Sequence, residues 1–240
     1  MDSLPVYIPI VFVLTTLVAY IFLSGAGSSV GITNEAAGRS NLAVYILHFV
    51  MIVWPVWQWS LVWKGVYQDT SSFPPRLFLF GLLPAALLII ICFIFFRESF
   101  VERLPLRWLT LLHVVRIPVE FTLLWLFIGG EVPQVMTFEG RNFDILSGIL
   151  APVVYVIAFR GQNVKRWLLI AYNILGLVLL ANIVTIAIMA LPSPMQSIAF
   201  DQPNRAVLYF PYIWLPTIIV PIVLFSHLAA LWKLAKGKTV

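Results

Sequence analysis

An all-α bundle of seven transmembrane helices is the fold this sequence predicts, on three observations. The 240 residues are 61% hydrophobic and only 10% charged, with a mean hydropathy of +0.98; a soluble domain carries about 25% charged residues. The apolar residues fall into seven runs, each near the ~20 residues that a helix needs to cross a bilayer. The short segments between runs hold nearly all of the charge, with Gly, Pro and Ser beside it. A lipid bilayer is therefore the expected surrounding, and a bacterial-type inner or plasma membrane the expected location.

The runs are 5–24, 42–63, 77–96, 105–128, 143–159, 167–191 and 208–232, read as one domain. The first follows Asp2 with no basic segment before it, so it reads as a retained helix rather than a cleaved signal. Residues 25–41 are small and polar, a loop; 64–76 holds Asp69, Ser71, Ser72, Pro74 and Pro75, another loop. Residues 97–107 are charged, 129–142 lean acidic, 161–166 form a short basic turn and 192–205 are rich in Pro and Ser. Inside the runs stand Pro55, Pro84, Pro118, Pro152, Pro211, Pro216 and Pro221. Each removes a backbone donor, and the three at five-residue spacing predict that the last helix is bent or locally unwound in its first half. Lone Cys92 excludes an intrachain disulfide and a Cys-rich metal site.

Orientation follows from the distribution of Lys and Arg. One side collects Arg39, Arg97, Arg103, Arg107, Arg160, Lys165, Arg166, Lys233, Lys236 and Lys238; the other holds Lys64, Arg76, Arg141 and Arg205. That split puts the amino terminus outside and the carboxyl terminus in the cytoplasm. The net charge of +5 is thus a topology signal, and no nucleic-acid partner is expected.

The fourth run carries His113, Arg116 and Glu120. Spacings of three and four residues put them within roughly 60° on one helix face. An arginine near the bilayer centre costs about 2.5–3.5 kcal/mol on insertion scales, so it requires a partner. The i, i+4 spacing offers Glu120 as that partner. As functional groups, Arg116 would hold an anionic head group and Glu120 would carry a proton or bind a cation; these two are the candidate catalytic residues.

All three histidines, His48, His113 and His227, lie six residues from the basic edge of their own runs, about 9 Å deep at 1.5 Å per residue. Three imidazoles from three helices can form a facial set for a divalent metal, zinc or iron. Two of them could instead clamp the iron of haem b. Tyr45, Tyr155 and Asn173 are candidates to hold the outer ring nitrogens. The plainer alternative is that each histidine is a hydrogen-bonded tie between helices. Near the outer edge, Glu131, Glu139, Arg141, Asn142 and Asp144 cluster. They read as loop charges with Asp144 capping the fifth helix, or alternatively as an outer gate of Glu139, Arg141 and Asp144. The tryptophans read mainly as an interfacial belt.

In topology the chain resembles rhodopsin-like bundles. A retinal Schiff base needs a buried lysine in the last helix, and none precedes Lys233 there, so no retinal is expected. The histidine layer resembles in part that of the seven-helix zinc hydrolases related to ceramidases and adiponectin receptors. Those place an H-x-x-x-H pair on the last helix, where His227 stands alone between Val223 and Leu231. No P-loop, G-x-G-x-x-G, G-x-S-x-G or H-E-x-x-H occurs.

Three functions follow as expectations. The first is a membrane enzyme with a histidine-held metal or haem, acting on a hydrophobic substrate with an anionic head by hydrolysis or redox transfer. The second is a proton-coupled transporter or receptor for a small hydrophobic or anionic ligand, working through Arg116 and Glu120. The third is a scaffold subunit of a membrane complex. The sequence leaves the oligomeric state open.

Overall fold

The computed structural model describes residues 4–30, 37–161 and 163–238, and among these there are helices and no strand. Seven helices follow one another: α1 (Tyr7–Ser28), α2 (Gly38–Trp63), α3 (Phe78–Phe95), α4 (Leu106–Ile128), α5 (Asp144–Phe159), α6 (Arg166–Met189) and α7 (Leu215–Ala235). All but the shorter α5 are long and apolar enough to cross a membrane. Asp2 and residues 31–36 lie outside the described residues.

Two boundaries differ from the sequence reading. The loop expected over 25–41 gives way to helix at both ends among the described residues: α1 runs on through Gly25, Ala26 and Gly27 to Ser28, and α2 has begun by Gly38. Small residues there let the chain pack closely; Gly25 faces the Trp108 ring and Gly27 faces Leu47. The last helix begins at Leu215 rather than near 208. Residues Ala206–Leu208 form one 3-10 turn, and Pro211, lacking an N–H, stands between that turn and the helix proper.

Helix α4 is the axis of the bundle, packing on α1, α5 and α7; α6 packs on α5 and α7, while α3 leans on α7 and α2 on α1. Of their most apolar stretches, 61% of α7 and 50% of α4 are buried, against 11% of α2 and of α3. The outer faces of α2 and α3 carry exposed Phe49, Ile52, Val56, Leu83, Ile90 and Ile94.

Prolines set the joints. Pro118 offers no N–H to the Val114 carbonyl, and the helix tightens into a 3-10 turn at His113–Val115 before resuming at Arg116. Ahead of Pro84 and Pro221, α3 and α7 each widen into a π turn, at Phe78–Leu82 and Leu215–Ile219, so the local irregularity expected in the last helix takes this form. The carbonyls four residues before those prolines, of Phe80 and Thr217, are taken by α2 instead. Gln58 Nε2 donates to Phe80 O at 3.0 Å and Trp54 Nε1 to Thr217 O at 2.8 Å.

The basic residues gather at one end, where chain segments distant in sequence meet. Lys238 pairs with Glu102, Lys233 Nζ donates to Leu104 O at 2.9 Å, and Arg103 reaches Ser40 Oγ at 3.2 Å. At the opposite end, the backbone amides of Arg205 and Ala206 donate to Glu131 O, and Gln202 Nε2 donates to the carbonyls of Phe127 and Val132.

Candidate functional site

A column of polar side chains runs inside the bundle along one face of α4, joined by α5, α6 and α7. His113, Arg116, Glu120, Asn142, Asp144, Asn173 and His227 are all buried. The 3-10 turn at His113–Val115 lies between His113 and the start of the following α-helical segment at Arg116.

At the basic end of the column, the rings of His113 and His227 stack with centroids 3.8 Å apart and planes 12° from parallel. His227 Nδ1 lies 2.8 Å from Asn173 Oδ1, so Asn173 steadies the imidazole as a partner for its outer nitrogen. Tyr172 packs edge-on to His113 and tilted against His227, and its hydroxyl donates to Ser147 O at 2.9 Å. The stack has room because α6 carries Gly176 opposite it: a Cβ at that position would overlap the His227 ring.

His48 stands apart. Its Nε2 lies 2.8 Å from Ser24 Oγ and its Nδ1 2.8 Å from Val44 O, both ring nitrogens engaged between α1 and α2. The expected three-histidine set is therefore not assembled, and among the described residues no group of three or more His, Cys, Asp or Glu gathers as metal ligands. Equal depth was the basis of that expectation, and depth does not fix rotation about a helix axis. A haem clamp would need two ring nitrogens facing one another across an iron, whereas this stack brings ring faces together. Of the other residues expected to support a metal site, Tyr45 is exposed on α2 and Tyr155 packs against Phe159.

In the middle of the column, Arg116 pairs with Asp144 at 3.2 Å, not with Glu120, and its guanidinium donates to Gly176 O at 3.3 and 3.4 Å. Asp144 begins α5 directly across from Arg116, so the pair bridges two helices where an i, i+4 pair would have closed on one. Glu120 is held by Asn142, whose Nδ2 donates to Glu120 Oε1 at 2.6 Å and to Met136 O at 2.9 Å. Asn142 Oδ1 accepts the backbone N–H of Asp144 at 3.0 Å, tying both carboxyl groups to one side chain. Of the residues expected as an outer gate, Asp144 is buried in the column while Glu139 and Arg141 are exposed.

Arg116, Glu120, Asp144 and Asn204 border a cavity of about 80 Å³ whose other walls are apolar, including Leu123, Leu180, Ile183, Ile219 and Val223. Of the polar atoms on the residues that border it, Arg116 Nε, Glu120 Oε2, Asp144 Oδ1 and Asn204 Oδ1 are buried without a hydrogen-bond partner among the described residues; elsewhere in the column so are Ser147 Oγ, His227 Nε2 and both nitrogens of His113. Asp144 Oδ1 touches Arg116 as an ion pair but off the hydrogen-bond axis. Groups of this kind, each leaving about 1–3 kcal/mol unmet, mark where water, a proton or a ligand belongs.

Sequence reasoning placed Arg116, Glu120, His113, His227 and Asn173 in the polar interior and gave Asp144 as a helix cap or part of an outer gate; it assigned no interior role to Asn142, Gly176 or Tyr172. Asn142 and Asp144 read as surface residues because they stand at a helix start. Gly176 and Tyr172 carried no signal beyond an apolar run, although a glycine mid-helix opposite a histidine level is a pointer to close approach.

No curated protein and no solved structure matches the chain. A family model does match, over residues 74–235, which take in α3 to α7 and the whole polar column. The chain belongs to that family, the Domain of unknown function (DUF8737).

Proposed function

We propose that this protein is an integral membrane protein of seven spans that binds a small amphiphilic ligand beside α4 and couples that binding to a proton on Glu120. Six helices of spanning length and the apolar outer faces of α2 and α3 support insertion in a bilayer. The observation that carries the rest is the cavity whose apolar walls meet Arg116, Glu120 and Asp144, with Arg116 Nε and Glu120 Oε2 buried and unsatisfied. Apolar walls with a few convergent polar groups suit a ligand with a hydrophobic body and an anionic or polar head. Arg116 anchors the head, Asp144 holds the guanidinium in place, and Glu120 exchanges the proton, its other oxygen fixed by Asn142. A buried carboxyl in such a setting is the usual proton carrier of transporters, so we read the protein as a proton-coupled transporter or ligand receptor rather than a metal-dependent hydrolase.

The test is infrared difference spectroscopy of the protein in liposomes, titrated with pH. A carboxyl C=O band that changes with pH and vanishes in Glu120→Gln is the expected result. A band that persists in that variant, or none that responds to pH, overturns the reading.

A further inference from the structure

A second site lies at the basic end, outside the polar column. There a cleft of about 580 Å³ opens between the start of α2 and the segment linking α3 to α4, with Arg39, Arg97 and Arg103 on its walls. Among the described residues that line it, the one carboxylate is Glu98, which pairs with Arg97 at 3.1 Å. Arg103 is braced by Ser40 Oγ, and Ser40 in turn donates to Ser99 O at 2.7 Å. Ser99 also lines the cleft, and its Oγ is buried with no hydrogen-bond partner among the described residues. Guanidinium groups beside a free hydroxyl match the oxygens of a phosphate in charge and in hydrogen bonding.

The cleft is not purely polar. Ile94 and Phe95, both 66% exposed, form its other wall. One helical turn further in, on both α2 and α3, begins an apolar crevice of about 180 Å³ between α1, α2, α3 and α7, lined by Ala43, Met51, Ala85, Cys92 and Phe96 among others. Arg39 and Ala43 mark the two hollows on α2, and Phe95 and Ile91 mark them on α3.

We propose that these hollows form one binding site for an anionic phospholipid, its phosphate held by Arg39 and Arg103 and an acyl chain laid in the crevice between α2 and α3. A free phosphate would use the cleft and leave the crevice idle; the apolar wall and its continuation favour the lipid. The site rests on the membrane reading above, but not on the proton chemistry at Glu120.

The experiment is native mass spectrometry of the detergent-purified protein with added phosphatidylglycerol, phosphatidylcholine or inorganic phosphate. Wild type is expected to retain phosphatidylglycerol over phosphatidylcholine. Arg39→Gln with Arg103→Gln is expected to lower that retention about tenfold or more, as for the loss of charge-assisted contacts. Ala85→Phe, which fills the crevice, should lower lipid retention while leaving any phosphate adducts unchanged. Arg39→Lys with Arg103→Lys, keeping the charge, should retain part of the binding and controls for folding. Equal retention of both lipids, no effect of the double glutamine variant, or adducts from phosphate alone would overturn the lipid site. A protein that leaves the membrane without detergent would instead overturn the membrane reading beneath it.

Discussion

Arg116 on α4 and Asp144 at the start of α5 meet at 3.2 Å, both buried, and no other carboxylate lies within ion-pair distance of that guanidinium among the described residues. Removing one member strands the other. Asp144→Ala should destabilise the protein by about 3–5 kcal/mol, because an unpaired buried charge costs more than the pair contributes. Replacing both, Arg116→Leu with Asp144→Leu, should recover most of that loss while abolishing ligand-dependent behaviour. Thermal unfolding in detergent checks both, and a double variant no more stable than the single one would show that the pair is not an isolated unit.

How much of this was legible beforehand divides along a physical line. Helix number and most boundaries follow from hydropathy, which depends on composition in a window and not on neighbours. The polar face of α4 follows from 3.6-residue periodicity. What could not be read is how helices rotate against one another. His48, at the same depth as His113 and His227, turns to Ser24, while the other two meet. Arg116 likewise has two candidate carboxylates, and only the packing of α5 on α4 selects Asp144 over Glu120. Residues 25–28 misled because small residues look like a loop in sequence, whereas in a bundle they permit close packing.

Gly176→Ala tests the close approach of α6 to the histidine stack. The added methyl would overlap the His227 ring, forcing the imidazole away from Asn173 and from His113. A loss of about 1–3 kcal/mol is expected for such overpacking. Gly38→Ala, where a Cβ meets nothing within 4 Å, should be neutral or mildly stabilising, as expected for a helical glycine. Parallel thermal melts compare the two; equal changes would mean that the stack accommodates the added methyl and that the close approach at 176 is not required.

Gln58 bridges two groups that otherwise lack partners. Its Nε2 donates to the Phe80 carbonyl left open by Pro84, and its Oε1 accepts the Tyr67 hydroxyl. Gln58→Leu leaves both unmet in a buried setting and should cost about 2–4 kcal/mol. Pro84→Ala, which restores an N–H within reach of that carbonyl, should reduce the penalty of Gln58→Leu. Coupling between the two substitutions in a double-mutant cycle is the readout, and simple additivity would count against the assignment.

Clustering of the basic residues at one end makes topology measurable. With that end cytoplasmic, a fluorescent protein fused after Val240 should be bright in bacterial cells, and alkaline phosphatase at the same point should be inactive. Phosphatase inserted at exposed Glu139, at the opposite end, should be active. The reverse pattern would invert the proposed orientation.

Glu102 provides the pH test. It accepts hydrogen bonds from Lys238 and from the Trp232 indole at 3.0 Å, anchoring the carboxyl-terminal segment to the turn before α4. Those two bonds, with the positive charge of Lys238, hold its carboxyl below the ordinary value of 4.5. A group whose pKa is lower in the folded state adds stability above its unfolded value and loses it as pH falls through the folded one. Wild type should therefore melt above Glu102→Gln at neutral pH, with the gap unchanged down to about pH 4.5 and closing below it. Lys238→Met should show the same narrowing, since it removes the cation. A gap that stays constant into strong acid would mean that Glu102 anchors the tail through packing alone, its charge playing no part.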